Sequence, residues 1–327
     1  MLQKGLAMDV GAKGWLTAEE DQALRARSNA MGFYLVLHAW GTIFLAMALF
    51  VAWPNPLTFL LAVILIGGRQ LGLAILMHDA AHRLLFKNAR LNDWIGFYLC
   101  GSPVGASLAL YRPYHLQHHR HTQQKDDPDW ILSAPFPISQ KSFRRKMLRD
   151  FFGVTAYQRR LEGFRYNMGE GTTAQRWARL WRVDGHFLVA NGLLFLLLWG
   201  VGHPELFFSL WLLPLMTWYQ VISRVRNIAE HAVVPDNDDP LRNTRTTLTN
   251  LAMRAILAPY WVNYHLEHHL LVATPCWKLP AAHRLLCARG LRDRMEVVQG
   301  YRAVLRQAIS NPHDGPHRGR ERKVSMI

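Results

Sequence analysis

The sequence predicts an all-α integral membrane protein. Four transmembrane helices form two hairpins, and a cytosolic helical cap holds a histidine-rich dimetal site. Three observations predict it. Four apolar stretches come in pairs, each pair closed by a tight turn. Histidines gather in three short boxes at or beyond the ends of apolar segments. The two tight turns contain no Lys or Arg, so the basic residues lie on one side or within the helices.

The chain has 327 residues, half of them hydrophobic, and carries a net charge of +15. That charge suits an anionic membrane surface or a nucleic acid. The interleaving of basic and aromatic residues that single-stranded nucleic acid sites use is missing, so no nucleic acid partner is expected. Cys100, Cys276 and Cys287 lie far apart and form no Cys-x-x-Cys pair, which fits a reducing cytosolic face. Neither a dinucleotide-binding glycine motif nor a ferredoxin-like cysteine run occurs, so electrons are expected from another protein.

Residues 1–30 form a polar cytosolic lead in which Thr17 is placed to cap a helix. No cleavable signal is expected, because the next apolar run is too long. The main domain is drawn over 31–310, with crossings at about 33–53, 57–77, 186–201 and 205–223. Pro54-Asn55-Pro56 closes the first hairpin, and Gly202-His203-Pro204-Glu205 the second. The third arm is short for a crossing and needs an extra turn or a thinner bilayer. Arg69 interrupts the second arm two turns before His78, where it either supports the site or snorkels to the surface. Residues 94–110 are apolar but broken by glycine and Pro103, and read as a re-entrant or interfacial segment. Residues 112–185 are strongly basic, and 311–327 form a basic, disordered tail. The positive-inside rule then places both termini and all three boxes in the cytoplasm.

The first box is His78-x-x-x-His82. The second and third share one spacing, His115-x-x-His118-His119 and His265-x-x-His268-His269. Residues at i, i+3 and i+4 fall on one broad face of a helix, so each box can aim its imidazoles together. Neutral imidazole suits Zn, Cu, Fe and Ni. Eight histidines exceed the needs of one zinc, so two metals are expected, either two irons or two zincs. Asn227 and His231 form a further i, i+4 pair between the second and third boxes. Asp79, Glu230 and Glu267 each adjoin a histidine and are assigned to accept imidazole N–H bonds. His121 is expected to point away from its box. His38, His186, His203 and His283 stand alone, and His313 and His317 lie in the tail. Asp126-Asp127-Pro128-Asp129-Trp130 reads as a turn that contacts headgroups or backs a ligand. Arg242-Asn243-Thr244-Arg245-Thr246-Thr247 reads as a solvated loop or a contact for a phosphate or an electron donor.

The ordered set of His-x3-His, His-x2-His-His and His-x2-His-His among apolar hairpins resembles the membrane fatty acid desaturase superfamily, over roughly residues 33–285. That superfamily also holds carotenoid ketolases and hydroxylases, sphingolipid desaturases and alkane hydroxylases. The resemblance implies a non-heme centre of two Fe ions. Its ligands would be His78, His82, His115, His118, His119, His231, His265, His268 and His269, with Asn227 approaching one iron through a water. The His-x3-His spacing of the first box is more similar to the acyl-lipid and sphingolipid branches than to the acyl-CoA branch, which makes the transfer to Asn227 weaker than that to the boxes. The activity implied is O2-dependent removal of hydrogen from an unactivated methylene of a membrane lipid. The electrons would come from a separate ferredoxin or cytochrome, since the chain lacks a His-Pro-Gly-Gly heme motif. Loss of a second hydrogen gives a double bond, and oxygen transfer instead gives an alcohol. A fatty acyl desaturase is therefore expected. The alternative is a hydroxylase or ketolase acting on a carotenoid, alkane or sphingoid base, and a membrane metal store is a remoter one. Trp94, Phe97, Tyr98, Trp218 and Tyr219 are candidates to line the lipid slot. The Arg, Ala and Leu richness favours a bacterial cytoplasmic membrane.

Overall fold

A computed structural model describes residues 10–11 and 14–309. The tail expected at 311–327, with His313 and His317, lies outside the described residues. Strands β1 (Val10–Gly11) and β2 (Leu16–Thr17) pair antiparallel before helix α1 (Ala18–Arg25). Thr17 caps α1 as expected: its hydroxyl accepts from the Glu20 N–H at 3.2 Å, and the Glu20 carboxylate accepts from the Thr17 N–H at 2.9 Å.

The first hairpin forms as α2 (Asn29–Ala52) and α3 (Pro56–Ala81). Asn55 starts α3 by accepting from the N–H groups of Leu57 and Thr58 at 3.0 and 3.2 Å, and Pro56 sits at the first helical position, where a missing N–H costs nothing. Helix α4 (Ala89–Ile95) runs through a π-helical stretch, Gly96–Gly101, into the short α5 (Ser102–Val104). The segment expected to be re-entrant is thus a broken helical turn packed on α3. Any side chain at Gly96 would collide with Ala80. Helix α6 (Leu108–Arg120) follows and leads to α7 (Trp130–Ser133), α8 (Gln140–Phe151) and α9 (Val154–Met168).

Helix α10 (Thr173–Gly200) begins well before the arm predicted at 186, because Thr172 and Gln175 cap its start reciprocally. The short third arm is therefore the apolar end of a long helix. Among the described residues, α2, α3 and α10 are long and apolar enough to cross a membrane. The fourth predicted crossing is not one helix. It comprises a π-helical stretch, Phe207–Leu212, then α11 (Leu213–Met216) and α12 (Trp218–His231), with a break at Thr217 (φ −119°, ψ −84°). Pro214, at the start of α11, supplies no N–H to the preceding π-helical stretch. The remaining elements are β3 (Thr246–Leu248), α13 (Leu251–Ile256), α14 (His265–Leu270), α15 (Leu279–Ala288), β4 (Val297–Gln299) and α16 (Tyr301–Ala308). Strand β4 pairs parallel with β3.

Helix α3 is the axis of the molecule, buried along most of its second half. In a lipid surround, helix packing relies on small residues and polar links. A Cβ at Gly67 would meet Trp218 at 2.6 Å, and one at Gly72 would meet the Tyr260 ring at 2.7 Å. Gln70 donates to the Trp211 carbonyl at 2.7 Å, within the π-helical stretch. Trp211 Nε1 donates to Asn191 of α10 at 2.7 Å, and Asn191 donates to the Pro103 carbonyl at 3.1 Å. These buried links join α3, α10, α5 and the broken fourth arm.

Arg69 does not snorkel. It is buried, donates to the Ala255 carbonyl at 2.5 Å and lies 5.4 Å from the centroid of the Tyr260 ring. Tyr260 and Trp261 hold left-handed backbone (φ 53° and 58°), which costs on the order of 1–3 kcal/mol each and needs such external support. Tyr260 also donates to the Leu35 carbonyl at 3.1 Å and meets His38 Nδ1 at 3.1 Å. Arg69 thereby steadies the segment that enters the third histidine box.

Candidate dimetal centre

Four helices deliver the nine predicted histidines to one buried place. His78 and His82 close α3, the second box ends α6, His231 is the last residue of α12, and the third box forms α14. The histidines divide into two groups. His78, His82, His115, His119 and His268 form one, and His118, His231, His265 and His269 the other. Within each group the candidate ligand atoms lie within 4.8 Å of one another.

Helical geometry explains the partition. At about 100° per residue, positions i and i+4 lie roughly 40° apart, while i+3 lies roughly 60° to the other side. In the second box, i and i+4 (His115, His119) face the first group and i+3 (His118) the second. In the third box the roles reverse: His265 and His269 serve the second group, and His268 reaches the first. The second and third boxes thus straddle both groups, while His78 and His82 of the first box both serve the first group. His119 and His269 meet between the groups, with ring centroids 4.2 Å apart.

The donor set fits metal ions. His119 Nε2 lies 2.9 Å from both His115 Nε2 and His268 Nε2, and His265 Nε2 lies 2.8 and 3.0 Å from His231 Nε2 and His269 Nε2. A neutral imidazole carries one N–H, so no central nitrogen can donate to two neighbours. Metal bonds of about 2.1 Å at right angles would set adjacent nitrogens about 3 Å apart, as found. His82 Nε2 is buried without a hydrogen-bond partner. Burial, and then the neighbouring histidines, hold His115, His119, His265, His268 and His269 well below the ordinary imidazole range. They are neutral at physiological pH, the form that binds metal.

The carboxylates divide differently from expectation. Asp79 lies 3.7 Å from His78 Nδ1, and its other oxygen accepts from the Cys276 N–H at 3.0 Å. Glu230 is paired with Arg226 and lies 3.6 Å from His265 Nε2. Glu267 touches none of the nine histidines by hydrogen bond. It takes the Thr246 hydroxyl and, at 2.6 Å, Nδ1 of His283. The carboxylate that does orient a histidine of the groups is Asp127, in the acidic turn. It receives His118 Nδ1 at 2.7 Å, the Asp129 N–H at 2.8 Å and the Gln123 N–H at 2.8 Å. Thr122 Oγ1 lies 3.1 Å from His269 Nδ1, and Gln123 donates to the His231 carbonyl at 2.7 Å. Asn227 is half-buried one turn before His231. His121 joins neither group.

The segment 242–247 is not a solvated loop. Arg245 is fully buried and donates to the carbonyls of Ala232 and Val233 at 2.9 and 2.8 Å and to Glu296 at 2.9 Å. It satisfies the open C-terminus of α12, where His231 sits. Among the described residues, His38, His186, His203 and His283 stand outside both groups, as expected; the last three meet Ser102 Oγ at 3.0 Å, Glu205 at 3.0 Å and Glu267 respectively. Of the proposed slot residues, Trp94 and Tyr98 are half exposed on the outside, Phe97 and Trp218 pack into the core, and Tyr219 lines a cavity.

Fold and site define a class: a helical protein with membrane-length helices and two groups of histidines, at the helix ends, that could hold metal ions. The family model for fatty acid desaturases matches residues 52–296, and the chain belongs to that family. It is 30% identical over 243 residues to the dihydrorhizobitoxine desaturase of Bradyrhizobium elkanii, covering 71% of this chain and 68% of the relative. It is also similar to beta-carotene ketolases of two Paracoccus strains. Strain N81106 gives 22% identity over 76% of this chain and 86% of the relative, and strain PC1 25% over 77% and 88%.

Proposed function

We propose that this chain is an O2-dependent di-iron desaturase that introduces a double bond into a membrane lipid fatty acyl chain. Electrons come from a separate donor, a ferredoxin or a cytochrome. The single observation that carries this is the pair of buried histidine groups, five and four residues strong, at the end of apolar helices. Membership of the desaturase family and the desaturase among the relatives support desaturation over other outcomes. The reaction balances as one –CH2–CH2– unit, O2, two electrons and two protons giving –CH=CH– and two waters.

The nine histidines would hold two irons, with Asn227 reaching one through a water. Bound iron would supply the oxidising power that an unactivated C–H bond demands. The chain's own residues hold that centre rigid and dry. Asp127 fixes the tautomer of His118, so that its Nε2 lone pair faces the group. Glu230, held by Arg226, sits beside His265, and Asp79 ties the Cys276 backbone to the end of α3. Burial of His115, His118, His231, His265 and His268 keeps these imidazoles from bulk water. In this proposal the two apolar hairpins cross a bacterial cytoplasmic membrane four times, with termini and site cytosolic.

A second function on the same scaffold, oxygen insertion by a hydroxylase or ketolase, is favoured by the similarity to beta-carotene ketolases. Mass spectrometry of lipids from a host expressing wild type or His268→Ala separates them. A product two mass units lighter, absent from the variant, is the expected result. A product gaining oxygen would replace it with the second reading.

A further inference from the structure

A cavity of about 440 Å³ opens between α9, α10 and the break before α12, away from the histidine groups. Its walls are apolar, formed by Phe164, Leu180, Phe187, Leu188, Leu215 and Met216. Its polar end holds Arg159 and Arg160. Among the described residues, neither arginine has an ion pair within 4 Å. Asp184 also lines the cavity, but its carboxylate accepts from Asn167 at 2.8 Å. Counting these three groups, the polar end keeps one net positive charge.

The Arg160 guanidinium is held in place. It lies 4.4 Å from the centroid of the Phe187 ring. It also fills the space over Gly105, where φ is +80° and any side chain would collide with it. A positioned guanidinium without an acceptor, in the lining of a largely apolar cavity of ligand size, is a site for an anion with a tail.

We propose that this cavity binds an amphiphile by its anionic head, carboxylate or phosphate, at Arg160, with its chain against Phe187, Leu188 and Met216. This deepens the desaturase reading and rests on it for the identity of the amphiphile as substrate. Tyr219 lines the cavity on α12, the helix that ends at His231. By helical rise that separation is about 18 Å. It is close to the reach of one leaflet's acyl chain, about half of a ~30 Å hydrocarbon core. A chain anchored at Arg160 would thus have the length to span that distance. An uncharged hydrocarbon would have no use for the guanidinium.

The test is displacement of a fluorescent polyene fatty acid from purified full-length, iron-loaded protein by palmitate, hexadecyl phosphate or hexadecanol. We expect one of the two anions to compete at least about tenfold better than the alcohol, the order that a charge-assisted hydrogen bond supplies. Whichever anion does so identifies the head. In Arg160→Gln that preference should fall below about threefold with iron content unchanged, and Arg160→Lys should retain part of it. Equal competition by hexadecanol in wild type overturns the proposal, as does a preference that survives in Arg160→Gln. If Arg160→Gln does not fold, the wild-type competition decides alone. Intact anion preference without any desaturated product would sink the desaturase reading and leave the binding site standing. Product without anion preference would sink the site alone.

Discussion

Asp127→Asn is a sharp probe of the site, because it changes one carboxylate and no shape. Asp127 is buried, and both its oxygens accept: Oδ1 from His118 Nδ1 and the Asp129 N–H, Oδ2 from the Gln123 N–H. An asparagine has one acceptor oxygen, so its amide N–H2 must face a donor on one side. If it faces Gln123, a backbone N–H is orphaned. If it faces His118, the imidazole must move its proton to Nε2, and the lone pair leaves the group of His118, His231, His265 and His269. Losing such an outer support typically lowers metal affinity about 10- to 100-fold, or about 1.4–2.8 kcal/mol. The five-histidine group makes no hydrogen bond to Asp127 among the described residues. The expected outcome is selective: in a graded chelator challenge, one of two irons leaves Asp127→Asn at lower chelator concentration than in wild type, and the other leaves as before. Equal weakening of both irons, or no change in a folded protein, would refute the reasoning.

Two further substitutions test how the scaffold sets the site. Gly72→Ala puts a Cβ 2.7 Å from the Tyr260 ring, an overpacking that costs roughly 1–3 kcal/mol. It should lower thermal stability and iron content together, since Tyr260 leads into the third box; stability unchanged within error would contradict the packing. Arg69→Leu orphans the Ala255 carbonyl and removes the cation beside Tyr260, a loss of about 1–3 kcal/mol. Iron content measured against Lys at the same position should show that Arg69→Lys restores part of it; a snorkelling role would leave all three proteins alike.

The nine histidines were legible because box spacing maps onto a helix face, and His231 because its pairing with Asn227 falls between two boxes. Their division into five and four was not. It depends on how α6 and α14 meet, which places i+3 of each box across from its own i and i+4. Adjacency in sequence misled for Glu267. On a helix a neighbour points about 100° away, and Glu267 turns to Thr246 and His283 instead of a box imidazole. Asp127 was legible as one acid of a turn expected to contact headgroups or back a ligand, and it does the second, at His118. Hydropathy marked two apolar stretches over 186–223 but could not see that the second is a π-helical stretch and two helices broken at Thr217. The same break, at Thr217, borders the cavity that holds Arg160. Arg245 was unreadable because its partners are backbone carbonyls, which carry no sequence signal.

The proposed di-iron function requires the two histidine groups to hold two unlike irons. Mössbauer spectroscopy of protein grown on isotopically enriched iron tests it most directly. Two quadrupole doublets of equal area, from one five-histidine and one four-histidine site, are predicted. His115→Ala, in the five-histidine group, should deplete one doublet preferentially. A single iron environment, or zinc in place of iron at full occupancy, would contradict the account.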